Sequence, residues 1–333
     1  MGRFPLRTRI RRYIEDNGDL AEATLKERKR KLEAFARRYE EMCRRDSRLK
    51  KDPAHWGEKE ILAILADNRS QSWSVATHAK CVENIQALLK SIGNGIIDKM
   101  MGSKSHMFPR RIAKRGPRLN EEQVAKVIQA SNRLEGWTGE IARFLVAFSV
   151  YEGPRPIELR RAEIDDLDTT TWTFTVRHPK GEGRYGERRK VPIPTLIRPI
   201  VTRYLEQRRT MLEKQGIKEA RPLICSERHP NTSYSDVCLR RIKSLVEVES
   251  GIRFDLRTLR RTYGQMLLDR HKPYEIVAKA MGHGSVLTTQ RYYCDIDEEV
   301  MRQEVLQAFE ETTHAPTVNS PLIDKKDDFT GYA

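Results

Sequence analysis

A basic segment with several helix breakers divides this chain of 333 residues into two parts, each long enough for one domain. The segment 103–118 has no acidic residue, and Pro109, Gly116 and Pro117 interrupt any helix there. Its six basic residues are Lys104, Arg110, Arg111, Lys114, Arg115 and Arg118. We therefore predict a linker at 103–118 whose basic side chains bind a phosphate backbone.

Charge favours the same kind of partner over the whole chain. The sequence has 62 Lys and Arg against 47 Asp and Glu, a formal charge of +15, which favours nucleic acid before an anionic membrane. The longest mainly apolar run, 144–151, is far shorter than the roughly 20 residues of a membrane span. Residues 1–20 contain no apolar block, so we expect no secretory signal. The five cysteines are far apart, which predicts neither a zinc site nor a disulfide framework and fits the cytoplasm.

The part before the linker is predicted to be helical. Residues 1–19 are rich in arginine and predict a loose basic arm. Apolar residues recur at helical spacing from Leu25 to Met42, and two further helical stretches are predicted at about 58–66 and 74–91. We expect a small all-helical domain at 20–102.

The part after the linker, 119–312, is predicted to combine helices with a small sheet. Alternation at 171–176 predicts a strand, and 187–193 predicts its hairpin partner across a glycine-rich turn, with a possible third strand at 164–167. Residues 141–151 are apolar on nearly every face and predict a buried helix. Further helices are predicted at about 196–215, 235–249, 257–269, 273–281, 286–293 and 297–310, before a disordered tail at 313–333. The fold class is mainly α with a small antiparallel β-sheet (α+β).

Four short motifs in the second part carry possible chemistry. Arg155 follows the buried helix at a tight turn, with Glu158 placed to hold an arginine. Lys180 stands at the predicted hairpin tip. Arg257 and Arg260 are three residues apart and would share a helix face. Each feature alone also fits an ordinary role, such as an ion pair, a turn lysine or a solvated basic stripe.

The fourth motif is Gly282-His283-Gly284-Ser285, followed by a short helix ending in Tyr292 and Tyr293. Taken alone, the tyrosines could simply pack in a core. Taken in order, the segments 153–159, 259–263 and 282–292, with Lys180 between the first two, make a pattern that chance does not readily produce. This pattern resembles the tyrosine recombinase (integrase) family. The resemblance covers about 119–310, and 20–102 is similar to the family's core-binding (SAM-like) domain in size and place only.

The resemblance implies roles for individual residues. Tyr292 matches the nucleophile, which would form a 3′-phosphotyrosyl bond with DNA and free a 5′-hydroxyl; the adjacent Tyr293 is the competing candidate. Arg155 and Arg260 match the arginines that bind the non-bridging phosphate oxygens, and Lys180 matches the general acid. His283 would hydrogen-bond the phosphate, and Glu158 would support an arginine. No metal, ATP or other cofactor is implied, and no ATP-binding motif occurs.

One position departs from the family pattern. Arg257 stands where the family commonly has histidine. A guanidinium stays protonated, so it can bind phosphate but cannot accept the tyrosine proton as a neutral imidazole could. Because some archaeal integrases vary here, an archaeal mobile element is the suggested source.

The resemblance also implies partners. Enzymes of this family act as tetramers on two DNA duplexes, so we expect double-stranded DNA at a specific site and self-association through the amphipathic 297–310 helix. In that segment Met301, Val305 and Phe309 recur every four residues. Packing of this helix on its own domain is nearly as plausible.

Three other functions remain open from the sequence. A type IB topoisomerase shares the tyrosine chemistry, although the lysine and the 282–292 motif favour a recombinase. A DNA-binding regulator of the same fold with weakened catalysis is kept open by Arg257. A metal-dependent strand-transfer integrase would need three acidic ligands, for which Asp165 and Asp166 are available.

Overall fold

The computed structural model describes residues 4–110, 116–179, 181, 186–293, 302–303 and 305–307, with only the backbone at 291–293. The chain forms two compact units, 1–114 and 115–333. The division falls inside the basic segment predicted as a linker. On its two sides, Phe108 is buried in the core of the first unit and Leu119 in that of the second.

The regular structure of the first unit is helical throughout its described residues, 4–110. Its α-helices are α1 (Pro5–Asp16), α2 (Glu22–Arg45), α3 (Glu58–Ser70), α4 (Val75–Ser91) and α5 (Ile96–Ser103). Short 3-10 turns lie at Pro53–His55 and Ser105–Met107. The core joins Leu32, Phe35 and Tyr39 of α2 to apolar side chains of α3 and α4, and Tyr39 packs on Trp56 with ring centroids 4.5 Å apart.

The prediction of a loose arm at 1–19 is wrong for most of its length. Residues 5–16 form α1, and Leu6, Ile10 and Tyr13 are buried in the same core as α2. These three residues are spaced four and three apart, so they line one side of a helix while the arginines between them face outward. The high charge of the segment concealed this stripe.

The second unit is built around one buried helix. Its helices are α6 (Glu121–Arg133), α7 (Gly136–Tyr151), α8 (Pro156–Arg161), α9 (Arg198–Lys214), α10 (Asp236–Ser250), α11 (Leu256–Asp269), α12 (Tyr274–Met281) and α13 (Val286–Tyr293). Helix α7 packs against α6, α9, α10 and α11, and its Phe144 stacks on Tyr204 of α9 with centroids 4.3 Å apart. The apolar run at 141–151 is thus the centre of this unit, as its lack of a polar face predicts.

A three-stranded antiparallel sheet completes the second unit. Its strands are β1 (Leu167–Asp168), β2 (Thr173–Val176) and β3 (Arg189–Pro192), in the order β1-β2-β3. Phe174 pairs with Leu167 on one side and Val191 on the other, so their side chains share the buried face. The predicted third strand therefore exists but begins at Leu167, because Ile164–Asp166 forms a 3-10 turn.

The observed fold class is the predicted one, mainly helical with a small antiparallel sheet. Most helix ends in the second unit also agree within a few residues. Asn120 caps α6: its Oδ1 accepts the backbone amide of Gln123, and its own backbone amide donates to Gln123 Oε1. Within the described ranges, no helix is long and apolar enough to cross a membrane.

Candidate active site

Arg155 is positioned by a sharp turn after the buried helix α7. Gly153 has φ 59°, and a Cβ there would lie 2.2 Å from the ring of Tyr263, so glycine is required. The turn places Arg155 just before α8, where its backbone amide donates to Glu158 Oε2 at 2.8 Å. Its Nη1 donates to Glu158 Oε1 at 2.7 Å. The predicted pairing of Arg155 with Glu158 is therefore present.

Arg260 reaches the same turn from helix α11. It is 6 % exposed, and its Nη1 donates to the carbonyl oxygen of Gly153. Its Nη2 donates to the carbonyl oxygen of Met281 at 2.5 Å. The second predicted phosphate-binding arginine thus lies next to the first.

Arg189 is a third arginine of this cluster, which the sequence analysis missed. It lies at the start of β3 and forms a forked ion pair with Glu158, with Nη2 2.8 Å from Oε2 and Nη1 3.3 Å from Oε1. Its Nε donates to the carbonyl oxygen of Ala280 at 3.0 Å. Strand alternation carried the signal, because Arg189 is two residues before the buried Val191 and shares its face.

The three arginines, here called the arginine clamp (Arg155, Arg189 and Arg260), meet at the C-terminal end of α12. Successive carbonyls at this helix end each accept from a different arginine: Ala280 from Arg189, Met281 from Arg260 and Gly282 from Arg155 at 2.7 Å. The last carbonyls of a helix have no partner within it and form its negative end, so cations are favoured there. The clamp is therefore built on main-chain atoms.

His283 follows this helix end directly. Gly282 adopts φ 64° to end α12, and a Cβ at that position would lie 2.5 Å from Arg189 Nη1. The turn half-buries His283, whose Nδ1 lies 2.8 Å from Oγ1 of Thr289 on α13. His283 therefore joins the clamp to the helix that ends in Tyr292 and Tyr293.

The charges of this cluster are unevenly balanced. Burial alone would raise the pKa of Glu158, but its bonds to Arg189 and the charge of Arg155 hold that pKa at about 2. Burial, followed by the charges of Arg260, Arg155 and Arg189, lowers the pKa of His283 to about 3, so its imidazole is neutral near pH 7. Among the described side chains of this cluster, three guanidinium charges stand against one ionised carboxylate, an excess of positive charge that attracts an anion.

The carboxyl group of Glu152, one residue before the Gly153 turn, is buried and has no hydrogen-bond partner among the described residues. The residue is 1 % exposed, and neither carboxyl oxygen meets a donor in the described part of the chain. Arg189, whose charge reaches it, is bonded to Glu158 and Ala280 instead. Burial raises the pKa of Glu152 to about 9 against this attraction, so the group is a neutral carboxylic acid near pH 7.

Arg257 does not join the clamp. It lies in the first turn of α11 and is exposed, and it makes no hydrogen bond or ion pair with another described residue. The predicted pair at 257 and 260 is therefore split, with one arginine in solvent and the other buried. Arg257 is accessible to a phosphate.

The side chains of the two remaining predicted catalytic residues, Lys180 and Tyr292, lie outside the described part of the structure. Lys180 lies outside the described residues, between β2 and β3. Tyr292 and its competitor Tyr293 form the last turn of α13, and their side chains lie outside the description. Tyr292 is three residues after Thr289 on this helix.

The basic residues predicted to bind DNA have varied surroundings. Lys104 pairs with Glu58 in the first unit, whereas Arg110 is exposed. Arg118 is exposed in the second unit and donates to Gln265 Oε1 at 2.7 Å. Arg111, Lys114 and Arg115 lie outside the described residues.

Asp166, one of the two acidic residues considered as metal ligands, has other contacts. Asp166 is buried, and its Oδ1 lies 2.7 Å from Arg177 Nε. Its Oδ2 accepts the backbone amide of Glu163 at 2.8 Å. Among the residues that the structure describes, no group of three His, Cys, Asp or Glu side chains is arranged to hold a metal ion.

Comparison with known proteins identifies the family of the chain. Residues 117–299 match the phage integrase family. The chain is 26 % identical over 235 residues to the tyrosine recombinase XerA of Pyrococcus furiosus, covering 70 % of this chain and 75 % of that protein. Its fold is similar to the XerH recombinase bound to palindromic difH substrate, with a TM-score of 0.63 at 17 % identity over 91 % of this chain and 95 % of XerH.

A second solved structure has the same fold. It is a lambda integrase tetramer bound to a Holliday junction, with a TM-score of 0.60 at 16 % identity, covering 87 % of this chain and 77 % of lambda integrase. The family match spans more than half of the chain and contains the arginine clamp, His283 and Tyr292. The chain therefore belongs to the phage integrase family and is a tyrosine-type site-specific recombinase.

Proposed function

We propose that this recombinase cleaves and rejoins DNA through a covalent bond between Tyr292 and a DNA 3′-phosphate, without a metal or ATP. The phenol of Tyr292 loses its proton and attacks the scissile phosphorus. The bond to the 5′-oxygen breaks, and Lys180 gives that oxygen a proton. The phosphate stays activated on the protein, so the released 5′-hydroxyl of another strand can reverse the step.

The observation that supports this proposal is the convergence of Arg155 and Arg260 on one helix end. Their guanidinium groups are fixed by carbonyls of Gly282, Met281 and Gly153 before any substrate binds. Phosphoryl transfer depends mainly on positioning and charge stabilisation, so prearranged cations lower the barrier without reorganising. Arg155 uses two of its five N–H donors in these contacts and can donate others to a non-bridging oxygen.

His283 and Arg257 have supporting roles in this mechanism. A neutral His283 donates a hydrogen bond to a phosphate oxygen, while the exposed Arg257 adds a further cation at the edge of the site. Glu158 bridges Arg155 and Arg189, because its Oε1 accepts from both arginines and its Oε2 accepts from Arg189. Arg257 cannot serve as the base for Tyr292, so that proton leaves to another acceptor.

Double-stranded DNA carrying a specific recombination site is the proposed substrate. The +15 charge and the exposed Arg110 and Arg118 suit contact with its phosphates. The first unit would serve as the core-binding domain and the second as the catalytic domain. The XerH structure bound to difH substrate and the lambda integrase structure bound to a Holliday junction support this assignment.

We also propose assembly as a tetramer on two duplexes through the 297–310 helix. The described residues 302–303 and 305–307 are helical, and Val305 and Leu306 expose about half of their surface. Exposed apolar side chains on a short helix can be buried by a neighbouring subunit. The lambda integrase tetramer provides a precedent in the same fold.

A covalent trapping experiment tests the mechanism. The protein is incubated in EDTA with a duplex that it binds in a gel shift and that carries a nick beside the scissile phosphate, so that the released fragment diffuses away. We expect an SDS-stable protein–DNA adduct that Tyr293→Phe retains and Tyr292→Phe loses. An adduct that persists in Tyr292→Phe but not in Tyr293→Phe would reassign the nucleophile, and none from wild type on bound DNA would refute the mechanism.

Relaxation of supercoiled plasmid separates this function from that of a topoisomerase. A topoisomerase relaxes plasmid without a specific site at low protein concentration, where a tetramer does not assemble. We expect the recombinase to join two site-bearing duplexes. We also expect it to relax a plasmid that lacks the site at least tenfold more slowly than a plasmid that carries it. Equal relaxation of both plasmids would favour the topoisomerase.

A further inference from the structure

Thr289 is a buried polar residue for which the proposed mechanism has no role. It is 0 % exposed on α13, and its Oγ1 lies 2.8 Å from Nδ1 of His283. This is a normal length for a strong hydrogen bond. Thr288, the preceding residue, is half-buried and points to a different side of the same helix.

The direction of this hydrogen bond decides what His283 can do. A neutral imidazole carries one N–H, on either Nδ1 or Nε2, and the atom without hydrogen is an acceptor. A phosphate oxygen only accepts hydrogen bonds. His283 can therefore donate from Nε2 only when its Nδ1 is unprotonated, and Nδ1 then needs a donor.

We propose that Thr289 is a positioning residue, whose hydroxyl donates to Nδ1 of His283 and holds the imidazole as the tautomer that carries hydrogen on Nε2. The Thr289 hydroxyl is the partner of Nδ1 in the structure, and burial keeps water from replacing it. The clamp arginines favour an uncharged ring, since a cationic imidazole would lie beside three guanidinium groups. This inference rests on the proposed function, in which His283 binds the scissile phosphate.

The same contact links two parts of the site. His283 belongs to the turn that ends α12, whereas Thr289 lies one turn of helix before Tyr292. A movement of α13 that displaces Tyr292 would therefore also break the bond to His283. Thr289 therefore couples His283, which donates a hydrogen bond to the phosphate, to α13, which carries the nucleophile.

The first test reads the tautomer directly in the DNA-free, full-length protein. Nitrogen-15 NMR of the histidine rings distinguishes protonated from unprotonated nitrogen, and His283→Gln assigns the signals. In wild type we expect His283 with a protonated Nε2 and an unprotonated Nδ1. A protonated Nδ1 would overturn the proposal whether or not the protein cleaves DNA, so this result is independent of the proposed mechanism.

The second test compares three variants in the tyrosine adduct assay. Thr289→Val keeps the shape but removes the hydroxyl, and we expect a loss of about tenfold, which corresponds to one hydrogen bond. Thr289→Ser should restore activity to within about threefold of wild type, whereas Thr288→Val serves as the matched control and should leave it unchanged.

Two outcomes of the variant series contradict the proposal. In one, Thr289→Val retains both the wild-type rate and the wild-type tautomer. In the other, Thr289→Ser is as impaired as Thr289→Val although circular dichroism shows both to be folded, which would mean that the methyl group and not the hydroxyl matters. If Thr289→Val fails to fold, Thr289→Ser and the wild-type NMR signals still decide the question.

Discussion

Two sets of arginines in this recombinase, one on helix α2 of the first unit and one in the clamp of the second, have opposite surroundings. In the first unit Arg30, Arg44 and Arg45 of α2 are 70–79 % exposed and pair with glutamates three or four residues away. In the second unit the side chains of Arg155 and Arg189 are 22 % and 8 % exposed and share the buried Glu158. Exposed pairs contribute little to stability, while breaking a buried pair is costly. The comparison shows that position, and not arginine content, marks the site.

The largest expected effect comes from Glu158→Gln. Glu158 faces two arginines, and an amide would lose the charge and turn an NH2 group toward their donors. Two buried cations would then lack a counter-charge, which destabilises by about 3–5 kcal/mol. Urea unfolding of the isolated protein measures this change. A loss of unfolding free energy below about 1 kcal/mol would mean that the Glu158 ion pairs contribute no more than the exposed pairs of α2.

Arg260→Lys should reduce covalent adduct formation by on the order of 10²–10³-fold. Lysine keeps the charge but has a single nitrogen, so it cannot reach the carbonyls of Gly153 and Met281 together. The rate of adduct formation on nicked DNA gives the measurement. Arg30→Lys, which changes an exposed ion pair of α2, is the control for stability. Equal unfolding free energies for both variants and wild type would show that burial does not distinguish these arginines.

Glu152→Gln should stabilise the protein. The folded pKa of about 9 lies above the ordinary 4.5, so the folded chain keeps a proton that the unfolded chain releases as pH rises through 4.5. The stability of wild type is therefore complete below about pH 4.5 and falls by about 1.4 kcal/mol per pH unit until about pH 9. Glutamine does not titrate, so the free energy of unfolding of the variant at pH 7 should exceed that of wild type by on the order of 3 kcal/mol. Thermal unfolding from pH 5 to 8 tests this, and a gain that does not grow with pH would contradict it.

The smallest effect is expected in the first unit. Glu41 pairs with Arg44 and Arg45 on the exposed surface of α2. Glu41→Gln should change the unfolding free energy by less than about 0.5 kcal/mol, because solvent screens both charges. The same urea titration used for Glu158→Gln compares the two glutamates. A change above about 2 kcal/mol would mean that this surface pair acts as part of a network.

Much of the fold could be predicted from the sequence because its elements carry local signals. The apolar run before Tyr151 and the cap at Asn120 are examples, since each depends on neighbouring residues only. Helix α1 was not predicted, because its apolar stripe is narrow and the segment is highly charged. Among the site residues, Arg155, Glu158, Arg260 and His283 were identified by motif, and the structure brings them together.

The remainder of the site depends on contacts between distant segments. Arg189 becomes part of it through Glu158, 31 residues earlier, and through Ala280, 91 residues later. Glu152 looks like an ordinary surface residue in the sequence, and only the folded structure, in which it interacts electrostatically with Tyr263 and Arg189, reveals its burial. Thr289 lies within the 282–292 motif, but its contact with His283 requires the turn at Gly282. Local patterns contain no information about such pairings.

The end of α12 has a consequence for how the catalytic centre is lost. Three arginines are held by consecutive main-chain carbonyls, and these point the same way only while the last turn of α12 is wound. Fraying of that single turn would remove one anchor from all three side chains at once and leave them their contacts with Glu158 and Gly153. The precision of the catalytic centre therefore depends on the integrity of one helical turn.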